Sequence, residues 1–272
     1  MLAYDLVEAP VDAATTLREA LDDIVGAMRR APGLTEAEQA LDAVAALLDL
    51  PRTFWVLDTS HPYELPEMDR FARSRGWPDD LLRLWWDRHA ALKMPLYISC
   101  RFKHLPFVIL LQEKRHRQTY QDSPEQRQVT TLLREMGVNT IVVIPIHLPK
   151  GQVAMIVFAG NQKGLAFKNL IQNIEGDLLA IGHRFMRVAG LSLGHRGDDD
   201  HDEQSHLTPR EWDCARTLAQ GYREAEIAEL MGISKVTVRF HLDNVVHKFG
   251  CKTRAQAMAL LGQLGLLGPI GA

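Results

Sequence analysis

Residues 207–254, LTPREWDCARTLAQGYREAEIAELMGISKVTVRFHLDNVVHKFGCKTR, carry three helix starts, two glycine stops and a cationic surface in under fifty residues. Thr208-Pro209-Arg210-Glu211 opens the first helix. Thr at the cap, Pro at the first helical position and Glu three residues after the cap answer backbone N–H groups that have no partner in a first turn. Gly221 stops this helix; a second, over about 224–231, turns Ile227, Ala228, Leu230 and Met231 inward and ends at Gly232. Ser234 caps a third, in which Val238, Leu242, Val245 and Phe249 recur at spacings of four, three and four, an apolar stripe that must face the first two helices.

The opposite face of the third helix carries Lys235, Arg239 and Asp243 one turn apart with Val236 beside them, flanked by Thr237, His241, Asn244 and Lys248. Two helices joined by a Gly-containing turn, the second cationic outward, form the arrangement that sets a recognition helix in the major groove of double-stranded DNA. Charge supports this. Residues 207–272 hold eight Lys and Arg against six Asp and Glu, while residues 1–206 hold 23 against 28, and within 234–254 the balance is five to one. Positive charge therefore gathers where phosphates would lie. An outward Lys/Arg face is by itself only a solvated one; capping, turn and helix order together single this one out. The side-chain chemistry assigns base contacts to Arg239 on guanine and Asp243 on a cytosine amino group, with Lys235 and Val236 at the groove edge and Thr237, Lys248 and Arg254 on phosphates.

These residues closely resemble the LuxR-type helix-turn-helix. The match rests on Leu207-Thr208-Pro209-Arg210-Glu211, Glu226-Ile227-Ala228, Gly232, Ser234, Thr237-Val238, His241-Leu242, Asn244, Lys248, Arg254 and Ala257, and spans about sixty residues. Arg223 departs from it, standing where the family has a small capping residue. The resemblance implies a fourth helix that packs two modules together; here Thr253-Arg254-Ala255-Gln256 reads as a capping box opening a helix over 254–267. It implies a homodimer on an inverted repeat, since one short recognition helix makes too few contacts for useful specificity.

The whole chain has 272 residues, 46% of them hydrophobic, with no apolar run near the ~18 needed to span a membrane. The N-terminus lacks the basic and apolar segments of an export signal, so a cytoplasmic location is expected. Cys100, Cys214 and Cys251 are odd in number and lack metal-ligand spacing, which suits reduced thiols. Helices are expected over 12–30, 36–49 (from a Thr35-x-x-Glu38 box), 79–92, 124–136 and 165–189, the last ending at Gly190. Strands are expected over 52–57, 97–102, 107–111, 140–147 and 152–160, with Pro149-Lys150-Gly151 as a hairpin turn.

This alternation predicts an α+β fold, an α/β/α sandwich around a central antiparallel sheet over 1–190, followed by an all-α four-helix module over 207–272. Residues 191–206 are the expected linker, since GHRGDDDHDEQSH at 194–206 has five acids, three His and almost no apolar side chains. His195, His201 and His206 could hold a metal only at the entropic cost of ordering that segment, so no metal and no cofactor is expected.

Residues 1–190 resemble the acyl-homoserine-lactone binding domain of quorum-sensing members of the family, through Gly137, Pro145, Gly151, the strand Val153-Ala154-Met155-Ile156-Val157, and Pro95 after the 79–92 helix. The resemblance implies a Trp for the lactone carbonyl, a Tyr for the acyl carbonyl and an Asp for the amide N–H; this chain has Leu81, Trp85 and Met94 there, with Ile109 for a later aromatic and Ile141 for a second Gly. An amide left unpaired on burial costs roughly 1 to 3 kcal/mol. Loss of all three polar groups therefore predicts weak binding of ordinary lactones. Trp77, Leu81 and Trp85 at four-residue spacing, with Met94, Ile109 and Met155, either line a pocket for an apolar or aromatic signal or fill it as plain core.

Other classes fit less well. An ordinary lactone-responsive regulator needs the missing polar groups. Asp58-Thr59-Ser60-His61-Pro62 resembles the phosphoacceptor of a response regulator, but the chain begins with two helices rather than a strand ending in paired acids. An enzyme would need an elbow, phosphate loop or metal-spaced His pair, none of which the sequence contains. An adaptor without DNA function leaves 207–254 unexplained.

Overall fold

The structure, a computed structural model, describes residues 11–59, 65–87, 94–111, 124–149, 152–193 and 207–267. The chain divides into two compact units, one comprising Met1–His147 and Gln152–His195 and the other including Arg196–Ala272.

The N-terminal unit opens with α1 (Val11–Arg30) and α2 (Leu34–Leu47). Leu21, Ile24 and Met28 of α1 and Ala37, Leu41, Val44 and Ala45 of α2 are buried, the spacing of one face of each helix. The expected Thr35/Glu38 capping box is absent. α2 starts a residue before Thr35, with Gly33 at the cap, and Glu38 is buried with its carboxylate 3.4 Å from Arg70. Then follow β1 (Arg52–Val56), α3 (Pro66–Ser74), α4 (Asp79–Trp86), α5 (Pro95–Phe102), β2 (Phe107–Leu110), α6 (Pro124–Glu135), β3 (Thr140–His147), β4 (Val153–Gly160), α7 (Leu165–Asn173) and α8 (Glu175–Ser192).

The four described strands form one antiparallel sheet in the order β1-β4-β3-β2. β3 and β4 pair from Thr140↔Gly160 to His147↔Val153, and β1 lies along β4 with Trp55 opposite Ile156. Burial falls on both faces of the central strands, because helices cover both. Phe54, Val56, Ile141, Val143, Met155 and Val157 share one face with residues of α4, α5 and α6. The other face meets α8, where Trp55 packs edge-on against Phe185 at 5.3 Å and Gly182 lies against Ile144 and Ile146. This is the expected three-layer sandwich.

Further expectations fail locally, the expected 254–267 helix ending at Gln263 among them. Residues 97–102 are helical, not a strand: Pro95 occupies the first turn, and Tyr97 and Cys100, three apart, are the buried positions. The expected 165–189 helix is two, broken at Ile174, where the Arg18 guanidinium donates to the Asn173 carbonyl at 3.0 Å; the second passes through Gly190 to Ser192. Leu230 is 64% exposed rather than inward. The expected 79–92 helix stops at Trp86, where Asp87 turns extended; residues 88–92, the turn at 150–151 and the histidines of 194–206 lie outside the described residues.

The C-terminal unit holds α9 (Pro209–Ala219), α10 (Glu224–Met231), α11 (Lys235–Lys248) and α12 (Arg254–Gln263). Its core is Cys214, Ile227, Ala228, Val238 and Leu242, continued by Leu207, Ala215, Val245, Ala257 and Leu261.

Candidate functional site

Every helix start in the C-terminal unit is fixed by a local contact. Thr208 Oγ1 accepts from Glu211 N, and the Glu211 carboxylate accepts from Thr208 N at 2.7 Å. Arg223 N donates to Glu226 at 2.7 Å, which starts α10 without the small cap residue the family resemblance implied. Gly232 ends α10 in the left-handed region, φ 63°, where a Cβ would be strained. Ser234 Oγ accepts from Thr237 N at 3.1 Å and starts α11. Thr253 Oγ1 accepts from Gln256 N, but Gln256 Oε1 takes Lys252 N, one residue short of a closed box.

With Val238, Leu242 and Val245 buried, α11 turns Lys235, Val236, Arg239, Phe240 and Asp243 outward. Val236 is 74% and Phe240 61% exposed, an apolar pair one turn apart on the expected recognition face. Phe240 escaped the sequence reading, although its spacing from Val236, off the buried stripe, signals it. Thr237 is half-buried, its hydroxyl 2.8 Å from Ser234 Oγ.

The expected phosphate and base contacts also have partners within the protein. Lys248 Nζ lies 2.7 Å from the Glu211 carboxylate, whose side chain is 3% exposed. Burial works to raise the Glu211 carboxyl, yet the hydrogen bonds from Lys248 and Thr208 outweigh it and hold it below the ordinary range. Arg239 Nε donates to Glu224 Oε2 at 2.7 Å, Arg254 Nη1 to Glu224 Oε1, and Arg254 Nη2 to Asp243 Oδ1 at 2.6 Å. These ion pairs link α10, α11 and α12.

In the N-terminal unit, Trp77, Leu81, Trp85, Met94 and Met155 are at most 4% exposed and share one cluster, against which half-buried Ile109 packs. Trp85 stacks on Phe54, centroids 4.1 Å apart and planes at 13°, and meets Trp77 edge-on at 4.7 Å. Two polar groups there are turned to the protein itself: Trp77 Nε1 donates to the Thr53 carbonyl at 2.9 Å and the Tyr97 hydroxyl to the Trp85 carbonyl at 3.4 Å. Burial raises the Tyr97 phenol and pushes the Cys100 thiol up to about 12, so both stay neutral. Phe54 and Tyr97 were not anticipated; alternation along β1 could have placed Phe54, whereas Tyr97 was hidden by reading its helix as a strand.

A sensor-like sandwich and a helix-turn-helix with a cationic outward face define a DNA-binding regulator with a signal-binding type of domain. A model of the bacterial regulatory proteins of the luxR family matches residues 205–261, and one of the autoinducer binding domain matches 34–189, more than half of the chain. The chain belongs to the LuxR-type family of quorum-sensing transcriptional regulators. It is 26% identical over 192 residues to the transcriptional activator protein AhyR of Aeromonas hydrophila, covering 71% of this chain and 72% of that one. It is 33% identical over 125 residues to the quorum sensing-dependent regulator VjbR of Brucella ovis, covering 43% and 48%. The fold is shared with Escherichia coli SdiA, at a TM-score of 0.53 and 16% identity over 93% of this chain and 99% of that one. It is shared likewise with SdiA in complex with octanoyl-rac-glycerol, at 0.50 and 17% over 98% of each. An antiparallel sheet reached after two helices excludes the receiver reading of Asp58, which needs a parallel doubly wound sheet.

Proposed function

We propose that the chain acts as a homodimer on a two-fold inverted repeat, reading DNA with α11, and that its sensor domain does not tightly bind ordinary acyl-homoserine lactones. In this reading residues 1–190 sense and dimerise, 191–206 link, and 207–272 bind DNA, with α12 and sensor helices at the dimer contact. Arg239 reads guanine, Val236 and Phe240 meet thymine methyl groups, and Lys235, Thr237, Lys248 and Arg254 face phosphates. The observation that carries the DNA half is the outward row of Lys235, Val236, Arg239 and Phe240 opposite the buried stripe of α11.

For the sensor half, the supporting observation is that Leu81, Trp85 and Met94, at the positions implied to hold lactone, lie inside a ring-stacked cluster in which the Trp77 indole N–H and the Tyr97 hydroxyl bond to backbone carbonyls. A second reading has one observation in its favour. Ile109, Leu84, Trp86 and Leu96 pack half-buried at the margin of this cluster, which suits a largely apolar signal held by Trp77, Trp85, Met94 and Ile109. The glycerol ester bound by SdiA, a protein of the same fold, fits that ligand class.

Selection from a random duplex pool by the full chain tests the DNA half. The selected sites should be inverted repeats, and Arg239→Ala should relax preference at one base pair per half-site by ~1 to 3 kcal/mol. Sedimentation showing only monomer with and without selected DNA, or equal losses on selected and random DNA, would contradict the reading.

A further inference from the structure

Glu224 is the first residue of α10, and nothing in the helix-turn-helix pattern assigns it a role. Both of its carboxylate oxygens are spoken for, Oε2 by Arg239 Nε at 2.7 Å and Oε1 by Arg254 Nη1. Its side chain is 21% exposed, against 54% for Arg239. The backbone beneath it is fixed, because Arg223 N donates to the Glu226 carboxylate one turn on. The two arginines would otherwise be long side chains with several rotors each on an exposed surface, and each such chain costs free energy to immobilise on binding.

We propose that Glu224 is a positioning residue for sequence reading, holding Arg239 by its Nε edge so that the terminal Nη edge is aimed at a guanine. The inference rests on α11 being the recognition helix. A guanidinium presents its donors in a rigid planar fork, so fixing Nε fixes the direction of Nη1 and Nη2, the geometry that bidentate contact with guanine O6 and N7 requires. Arg254 is held by the same carboxylate from one side and by Asp243 Oδ1 at 2.6 and 3.1 Å from the other. Asp243 thereby becomes the brace of a phosphate-facing arginine in place of the cytosine reader the sequence suggested. The hydrogen bond from Arg239, ahead of the opposing desolvation, holds the Glu224 carboxyl below its ordinary range, so the brace stays charged at neutral pH.

Placing a carboxylate beside a phosphate-binding face weakens attraction to any DNA, and this makes the proposal separable from a mere surface ion pair. The full chain, Glu224→Ala, Glu224→Gln, Arg239→Ala and Glu224→Ala/Arg239→Ala are each used to select from one random duplex pool, then titrated on the wild-type site and on random duplex over a salt series. Thermal unfolding of each variant identifies any that fails to fold, and Glu224→Gln then stands in for Glu224→Ala. Glu224→Ala should bind random duplex more tightly, yet lose discrimination by roughly 5- to 100-fold at the same base pair that Arg239→Ala relaxes, the range a bidentate contact supplies. Glu224→Gln should fall between, and the double variant should lose no more at that pair than Arg239→Ala alone. Unchanged base preference in folded Glu224→Ala and Glu224→Gln, with only tighter binding overall, would overturn the proposal. A wild-type chain that selects no sequence would overturn the DNA-reading function itself, and the inference with it.

Discussion

Lys248 looks from the sequence like a phosphate contact, and the structure gives its ammonium a second duty. Glu211 turns back to cap α9, which buries its carboxylate, and Lys248 supplies the opposite charge at 2.7 Å. Removing that partner leaves a buried carboxylate short of a hydrogen bond. We therefore expect Lys248→Ala to destabilise the C-terminal unit by roughly 1 to 3 kcal/mol, measured by urea unfolding, in addition to any effect on DNA. The pH dependence has a definite sign. Because folding depresses the Glu211 carboxyl below its ordinary 4.5, its contribution is present above that pH and is lost as pH falls through the folded value. The wild-type advantage over Lys248→Ala should thus shrink on acidification below pH 4.5; an advantage that grows there would contradict the assignment. Caps such as Thr208, Ser234 and Gly232 were legible because cap and turn chemistry spans three or four residues. The pairs Lys248–Glu211 and Arg239–Glu224 join residues 37 and 15 apart, and no local pattern marks them.

At the scale of elements, the central strands and the long helices were legible because their periodicity extends over many residues. α5 was not. Tyr97-Ile98-Ser99-Cys100-Arg101-Phe102 mixes aromatic and β-branched residues with near alternation, and the burial of Tyr97 and Cys100 on one helical face overrides that preference. The α7/α8 break was also invisible; the Arg18 guanidinium from α1, which donates to the Asn173 carbonyl there, lies 155 residues away in sequence. One element contact depends on a missing side chain. Gly160 ends β4 opposite Thr140, where the α2–β1 turn crosses so closely that a Cβ would lie 2.9 Å from Leu50 Cδ2 and 3.0 Å from the Asp49 carbonyl oxygen. Backbone cannot yield as a side-chain tip does, so Gly160→Ala should cost roughly 1 to 3 kcal/mol of N-terminal stability. A thermal midpoint equal to wild type would show that the turn shifts freely.

Across the whole molecule, a helix-turn-helix that keeps its family's pattern accompanies a sensor domain with Leu81, Trp85 and Met94 at the positions where the family resemblance implies polar ligand contacts. The sequence made those three residues legible, but not what packs around them. That packing is tertiary: Phe54 from β1 stacks on Trp85, and the Trp77 indole N–H donates to the Thr53 carbonyl. The central claim is that this core gives an acyl-homoserine lactone nothing to pair with. The most direct test is thermal unfolding of the full chain against a panel of acyl-homoserine lactones and apolar glycerol esters, because a ligand at 100 times its Kd stabilises its domain by ~2.7 kcal/mol. We predict no shift of the N-terminal transition with any lactone; a clear shift with an ordinary one would contradict the account.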